Sequence, residues 1–155
     1  MGPPPGGNWD QTVIPVGRGA EGFDASPNGK ELWTANAQDG TVSIIDLGAK
    51  KVTETLPANV AGANRLKFTP DGKYVFITSL SGAGVAVLDA ATHKEIKRFP
   101  NGGAAGIQMR PDGSRAYIAS TRDNYVAVVD LKTLEITGRI DAGPQPDGLA
   151  WSIMK

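Results

Sequence analysis

The chain has 155 residues, a length typical of a single domain. Its 16 Lys and Arg residues balance its 16 Asp and Glu residues, so no net charge attracts it to nucleic acid or to an anionic membrane surface. It contains no cysteine, which excludes disulfides, iron–sulfur clusters and thiol catalysis, and no stretch approaches the roughly 20 consecutive apolar residues of a membrane span.

The first element is a Pro/Gly-rich leader, "MGPPPGGNWD", over residues 1–10. It lacks the charged and apolar regions of a signal peptide, so we expect a flexible segment. Residues 11–16 follow, and the pattern "TVIPV" within them matches the last strand of a sheet whose other strands are absent. The sequence therefore predicts a partial strand at 11–16.

The next 120 or so residues contain three copies of one sequence pattern at a nearly fixed period, which is the signature of a repeat protein. The copies are "SPNGKELWTANAQDGTVSIID", "TPDGKYVFITSLSGAGVAVLD" and "RPDGSRAYIASTRDNYVAVVD". Their prolines, Pro27, Pro70 and Pro111, are 43 and 41 residues apart. In every copy an aspartate follows the proline by 19 residues. A period of this length predicts the architecture much better than it predicts the function.

Each copy divides into four predicted strands. A short apolar strand ends in a Pro-Asn-Gly or Pro-Asp-Gly turn, a second strand ends in another tight turn, and the third strand is apolar on both faces. The fourth strand is more polar and reads as a solvated outer edge. Four-stranded antiparallel sheets that repeat in this way are blades of an all-β β-propeller, whereas the coils of a β-solenoid are much shorter.

The pattern sets the domain organisation. It predicts complete blades at about 20–58, 62–100 and 104–141, and a further partial strand at 148–153, all within one propeller domain spanning 11–155.

The second strands carry a family resemblance. "WTAN", "FITS" and "YIAS" each begin six residues after their proline and resemble the Tyr-Val-Thr-Asn signature of YVTN-family β-propeller repeats. "GPQPDGLAW" resembles the entry into a further blade of that family. The resemblance covers nearly everything from Thr12 to Trp151 and implies a secreted, periplasmic or cell-surface location. It implies a scaffold more than a chemistry, because most members have no assigned reaction.

The number of blades raises the question of what covers the ends. The family usually completes a ring of about six to eight blades, and three blades are about half of one. An open half-ring is expected to expose two apolar sheet faces, which on a soluble protein imply a partner. A second copy that closes a homodimeric ring is one solution, and a fragment cut from a larger ring is the other.

The loops that enter the innermost strands are the candidate binding site, because propellers bind ligands at the mouth of the central channel. The varied side chains of these loops are Arg18, Glu21, Asn64, Arg65 and Asp147. We expect them to contact a partner or a small anion, and the alternative is that they are solvated charges that pair with one another. The glycines of these loops lack the Lys-Ser/Thr ending of a phosphate-binding loop.

Other recurring residues have structural interpretations. The aspartates at the ends of the third strands, Asp46, Asp89 and Asp130, are expected to cap the following turn rather than to bind a metal. Trp33, Phe76 and Tyr117 are expected to pack between blades, and Trp151 is expected to pack in the same way within the next, incomplete blade. His93, the only histidine, is predicted to be a surface residue of the outer rim.

These observations favour a non-enzymatic interaction scaffold that self-associates, with no catalytic residue, no metal and no cofactor. The alternative is part of a propeller enzyme, because related propellers resemble lactonases and quinone- or haem-linked dehydrogenases. The chain itself has no Cys-x-x-Cys-His haem-attachment motif, so its catalytic groups would have to be supplied from elsewhere.

Overall fold

Three sheets of four antiparallel strands follow one another along the chain in the computed structural model, which describes residues 11–58 and 60–152. Within each sheet the strands neighbour one another in chain order, so every sheet is a simple meander. We refer to the sheets as blade 1 (β1–β4), blade 2 (β5–β8) and blade 3 (β9–β12). The strands are β1 (Ala20–Ala25), β2 (Glu31–Asn36), β3 (Thr41–Asp46), β4 (Lys51–Pro57), β5 (Ala63–Phe68), β6 (Tyr74–Ser79), β7 (Val85–Asp89), β8 (Glu95–Phe99), β9 (Ile107–Met109), β10 (Arg115–Ser120), β11 (Tyr125–Asp130) and β12 (Glu135–Asp141).

The predicted all-β propeller architecture is confirmed, with burial that follows the predicted order of strands. The third strand of each blade is buried along its length, whereas most residues of the outer strands β4 and β12 are exposed. The described residues add a single turn of 3-10 helix, Thr121–Asp123, and contain no helix long and apolar enough to cross a membrane.

The two partial strands predicted at the ends differ in the structure. Residues 11–16 and the described part of 148–153, which ends at 152, are not strands. A strand needs a neighbour to hydrogen-bond with, and neither segment has an adjacent strand of its own blade among the described residues. The predicted leader, residues 1–10, lies outside the described residues, as does position 153.

The core consists of two apolar clusters, each between two blades. The first cluster joins Trp33 and Ile44 of blade 1 to Leu66 and Phe68 of blade 2. The second joins the opposite face of blade 2 to blade 3, and Phe76 is its fully buried aromatic residue. Each blade therefore buries its apolar surface against its neighbours and has no separate core of its own.

Two of the three aromatic residues of the second strands, Trp33 and Phe76, pack between blades, as predicted. The third, Tyr117, is half-buried and packs on the segment that follows blade 3. Trp33 is 0% exposed, and its ring makes an edge contact with the Phe68 ring of blade 2 at 5.4 Å between centroids. Tyr117 of blade 3 contacts Trp151 at 6.2 Å.

His93 is half-buried between blades, rather than being the simple surface residue that was predicted. Its ring lies edge-on to Trp33 with 5.2 Å between ring centroids, and its Nδ1 is 2.7 Å from a carboxylate oxygen of Glu54 in blade 1. The turn of blade 2 thus reaches across to blade 1, a contact that the local sequence around His93 does not reveal.

The aspartates that end the third strands cap the turns that follow them. One carboxylate oxygen of each aspartate accepts hydrogen bonds from backbone N–H groups two or three residues later. The bonds run from Ala49 to Asp46 (2.7 Å), from Ala91 (3.1 Å) and Thr92 (2.7 Å) to Asp89, and from Lys132 (2.9 Å) and Thr133 (2.9 Å) to Asp130. These bonds account for the recurrence of the aspartates without a metal.

The inner strands do not approach one another equally. A Cβ added to Gly22 would lie 2.4 Å from the carbonyl oxygen of Asn64, and one added to Gly106 would lie 2.0 Å from that of Asp147. Both distances are shorter than any real contact, so only glycine fits where the next inner segment passes. Arg65 holds the equivalent position of blade 2 and carries a full side chain there.

The turn aspartates predict a loss of stability in acid. Hydrogen bonds from the backbone of Thr92 and Thr133 hold the pKa values of Asp89 and Asp130 below their ordinary value. A carboxyl with a lower pKa in the folded than in the unfolded chain stabilises the fold above the unfolded pKa of about 3.9. This contribution is lost as the pH falls below that value.

We therefore expect the urea midpoint of unfolding to fall between about pH 5 and pH 3. Asp89→Asn keeps an oxygen acceptor but does not titrate there, so it should reduce the steepness of the fall. An unchanged pH profile in this variant would contradict the assignment.

The clusters between blades predict unequal costs for two equivalent aromatic residues. Trp33→Ala should lower the free energy of unfolding by about 3–5 kcal/mol, because its ring is fully buried. Tyr117→Ala should cost about 1–2 kcal/mol, because its ring is half-buried. Urea unfolding followed by circular dichroism measures both, and equal costs would be evidence against the packing of Trp33 between blades 1 and 2.

Candidate functional site

One rim of the blades gathers the loops that enter the inner strands and the turns between second and third strands. Backbone hydrogen bonds tie three of the four loops to the turn beside them, as from Ala37 to Gly19 (2.8 Å) and from Leu80 to Gly62 (3.4 Å), and side-chain bonds tie the fourth. We call this edge the upper rim. It comprises loops 17–22, 60–65, 102–106 and 143–148 and turns 37–40, 80–84 and 121–124.

Arg18 is paired within its own blade. Its backbone N–H donates to Asp39 at 2.7 Å, and its guanidinium Nε donates to the same carboxylate at 2.8 Å. The backbone bond, followed by the guanidinium bond, lowers the pKa of Asp39 below its ordinary value. The side chain of Arg18 is still 80% exposed, so the pair presents a cation at the rim that one carboxylate already satisfies in part.

Glu21, Asn64 and Arg65 come together across the junction of blades 1 and 2. The amide of Asn64, a residue only 3% exposed, donates a hydrogen bond to the Glu21 carboxylate. Arg65 Nη1 lies 3.9 Å from the other oxygen of that carboxylate. These three residues therefore present a guanidinium and a carboxylate side by side to solvent. The ion pair between Arg65 and Glu21 is weak, because both side chains are exposed.

Asp147 lies at a third place on the rim, beside blade 3. Its carbonyl oxygen accepts a hydrogen bond from the N–H of Gly106 at 3.0 Å. The five predicted residues thus occupy three separate positions. Two of these positions show the mutual pairing that was the alternative interpretation.

The inner strands enclose a central cavity of about 240 Å³. Phe23, Leu66, Ile107 and Leu149, the equivalent residues of successive repeats, line it together with Lys67. Lys67 is paired with Asp24 of blade 1 at 3.1 Å, and Arg65, which also lines the cavity, lies 3.9 Å from Glu21, so both cations of the cavity face a carboxylate of blade 1.

A larger groove lies between blades 2 and 3 and was missed by sequence reasoning. Its volume is about 860 Å³, within the range of ligand pockets in general. The guanidinium carbon of Arg139 lies 4.4 Å from the centre of the Tyr125 ring, and Asp123 and Asn101 line the same space. The signal in the sequence is the small turn "GAG" of residues 82–84, which leaves the space unfilled where the other blades carry larger turn residues.

The outward face of blade 1, which no blade covers, is less apolar than predicted. Thr34, Asn36 and Ser43 are buried on it, where the equivalent positions of blade 2 are Ile77, Ser79 and Ala86. Hydrogen bonds satisfy most of these groups, as from the Asn36 amide to Ser43 at 2.9 Å. Among the described residues, Asn36 Oδ1 is the one buried side-chain oxygen or nitrogen without a hydrogen-bond partner.

Phe23 is the exposed apolar side chain of that face. The equivalent residues of blades 2 and 3, Leu66 and Ile107, face the preceding blade and are only 2% and 8% exposed. Phe23 is 68% exposed. A side chain that is core in every other copy is therefore presented to solvent here.

The outward face of blade 3 is partly covered by residues 143–152, which we call the tail. Gly106 N–H bonds to Asp147, the Thr121 hydroxyl donates to the carbonyl of Pro146 at 2.8 Å, and Trp151 packs on Tyr117. Tyr117, Val126, Ile140, Leu149 and Trp151 leave an almost wholly apolar cavity of about 290 Å³ between tail and blade. The predicted second apolar face is therefore present but covered in part.

Solved structures share this fold. The chain is similar to hydrazine synthase of Kuenenia stuttgartiensis, with a TM-score of 0.75 and 27% identity over 92% of this chain and 42% of that one. It is also similar to the RRP9 WD40 repeats (TM-score 0.70, 15% identity, 79% of this chain and 38% of that one) and to U3-55K (TM-score 0.75, 12% identity, 83% and 41%).

The chain spans about two fifths of the length of each of these proteins. No protein-family model matches it, and no curated protein matches it significantly. The likeness to the two WD40-type structures shows the propeller fold alone.

The exposure of the rim arginines predicts that they are dispensable for folding. Arg18→Ala and Arg65→Ala should each change the free energy of unfolding by no more than about 0.5–1 kcal/mol, because exposed ion pairs contribute little. Thermal unfolding measures this. A larger loss would make the pairs structural, and would leave them without a role as free contacts for a partner.

Proposed function

We propose that the chain is a non-enzymatic interaction module, a YVTN-type half-propeller that binds through its terminal blade faces and its upper rim. The observation that carries the proposal is the exposure of Phe23. Burial of a phenylalanine side chain contributes about 1.5–3 kcal/mol, so its place in solvent favours a partner that covers it.

The partner that fits this position is another blade. In the chain itself, the residues equivalent to Phe23 are buried against the outward face of the preceding blade. A second copy offers such a face on its blade 3. Two copies arranged about a two-fold axis would make this contact twice and close a ring of six blades, within the size range of natural propellers.

The upper rim is the proposed site for a further partner, because ring closure would bring the rim loops of both copies together around the central channel. Arg18 and the group of Glu21, Asn64 and Arg65 would then come from both copies. A protein or small molecule with acidic groups is the partner whose chemistry matches the exposed guanidinium of Arg18. The YVTN resemblance supports a secreted, periplasmic or cell-surface location, which stays a prediction.

A second candidate function is part of a propeller enzyme. The similarity to hydrazine synthase over 92% of the chain is the observation that favours it. Catalytic groups or a cofactor would then be held by other chains or domains. Purification from the native source with a visible absorption band in the same fraction would favour the enzyme, and a colourless protein with the mass of the chain or its dimer would favour the module.

Light scattering coupled to size exclusion tests the self-association. We expect a species of twice the 16.2 kDa chain mass. Phe23→Asp should weaken the dimer by at least about tenfold, because a charge would enter an apolar contact.

The matched control is Ile96→Asp. Ile96 is 46% exposed on the outer strand β8 of the middle blade, away from either terminal face. It should leave the dimer intact. A dimer that Phe23→Asp does not affect would contradict the proposal, and so would a protein that stays monomeric even when the outward face of blade 3 is uncovered.

A further inference from the structure

The tail repeats the geometry of an inner strand. Gly106 of blade 3 meets the carbonyl of Asp147 and the Cα of Gly148, just as Gly22 of blade 1 meets the carbonyl of Asn64 and the Cα of Arg65. In both cases a glycine at one inner strand approaches the equivalent backbone atoms of the segment one repeat later. The tail therefore lies on blade 3 in the register that β5 has on blade 1.

This register gives each tail residue an equivalent in β1. Leu149 corresponds to Phe23, and Gly148 corresponds to Gly22. Leu149 is half-buried and faces the apolar cavity on blade 3, whereas Phe23 is 68% exposed. In one chain, therefore, Leu149 occupies this position on blade 3, while the equivalent Phe23 is exposed and has no blade to pack against among the described residues.

From this equivalence we infer that the tail occupies the place on blade 3 that β1 of a second copy takes when the ring closes. The tail and a second copy then compete for one surface. The inference rests on the self-association proposed above, and it makes the tail a built-in inhibitor of that association.

The contacts that hold the tail suit a segment that can be displaced. Besides the bond from Gly106, they include the hydrogen bond from Thr121, one from the N–H of Gln145 to Asn124 Oδ1 (3.0 Å), and the packing of Trp151 on Tyr117 and beside Arg110. Trp151 is 41% exposed, and a cavity of about 290 Å³ separates part of the tail from the blade. A complete blade would offer the same surface a four-stranded sheet, with Phe23 of β1 as its exposed apolar side chain.

Two kinds of variant test the inference in the full chain. Leu149→Ser weakens the tail without touching β1, so it should tighten the dimer by about tenfold in light scattering or sedimentation. Asn124→Cys with Gln145→Cys should lock the tail in place when oxidised, since the Asn124 side chain already reaches the Gln145 backbone and the chain has no other cysteine. The oxidised protein should be monomeric, and reduction should restore the wild-type dimer.

The controls are the two single-cysteine variants, alkylated, which should dimerise like the wild type, and thiol titration, which shows whether the disulfide has formed. A dimer that is weakened by Leu149→Ser would mean that the tail is part of the interface, and would overturn the inference while the proposed function stood. So would a locked form that dimerises normally.

A further outcome would overturn both proposals. If the wild type, the reduced double variant and Leu149→Ser are all monomeric at every concentration, blade 3 does not bind a second copy of this chain. Self-association and the competition of the tail then both fall. If only Leu149→Ser dimerises, the tail inhibits completely in the wild type and both proposals hold for the released form.

Discussion

Trp33 is fully buried, and the neighbouring blade contributes both Phe68 and His93 as edge contacts to its ring. This packing of one sheet against the next is the constraint on which the other features depend. A four-stranded sheet that is apolar on both faces cannot be stable alone in water, so each blade needs a neighbour on either side. The order of the blades, the closeness of the inner strands and the state of the two terminal faces all follow from that need.

The fold could be predicted because its determinants are local and are written three times. The Pro-Asp-Gly turns, the capping aspartates and the aromatic second strands each depend on residues within a few positions of one another. The details of the rim depend on contacts across 21 to 43 residues, such as Arg18 with Asp39 and Glu21 with Asn64. The position of His93 against Trp33 has the same origin. A single sequence does not show which charged residues of different loops will pair with one another. The groove beside Arg139 could not be predicted either, because it arises from the small side chains of a turn.

The terminal faces show how a repeat protein can adapt identical modules to different surroundings. Blade 1 has buried threonine, asparagine and serine on its outward face, and its strand β1 keeps an apolar residue at the edge. Blade 3 retains the apolar pattern and is covered by the tail. Terminal repeats of solenoid proteins carry polar residues for the same physical reason, since an uncovered apolar face promotes aggregation. The two outward faces therefore differ in character although the three repeats follow the same pattern of turns and apolar strands.

The glycines of the inner strands have one more consequence, for the symmetry of the molecule. Gly22 and Gly106 lie where a Cβ would collide with the carbonyl oxygen of the next inner segment, whereas Arg65 carries a full side chain at the equivalent position. The three blades therefore share one strand order but differ in how closely their inner strands can be followed by the next segment. Blades 1 and 2 are then not interchangeable modules, and a circular permutation or a blade duplication would have to keep each of these glycines against the inner segment that passes it.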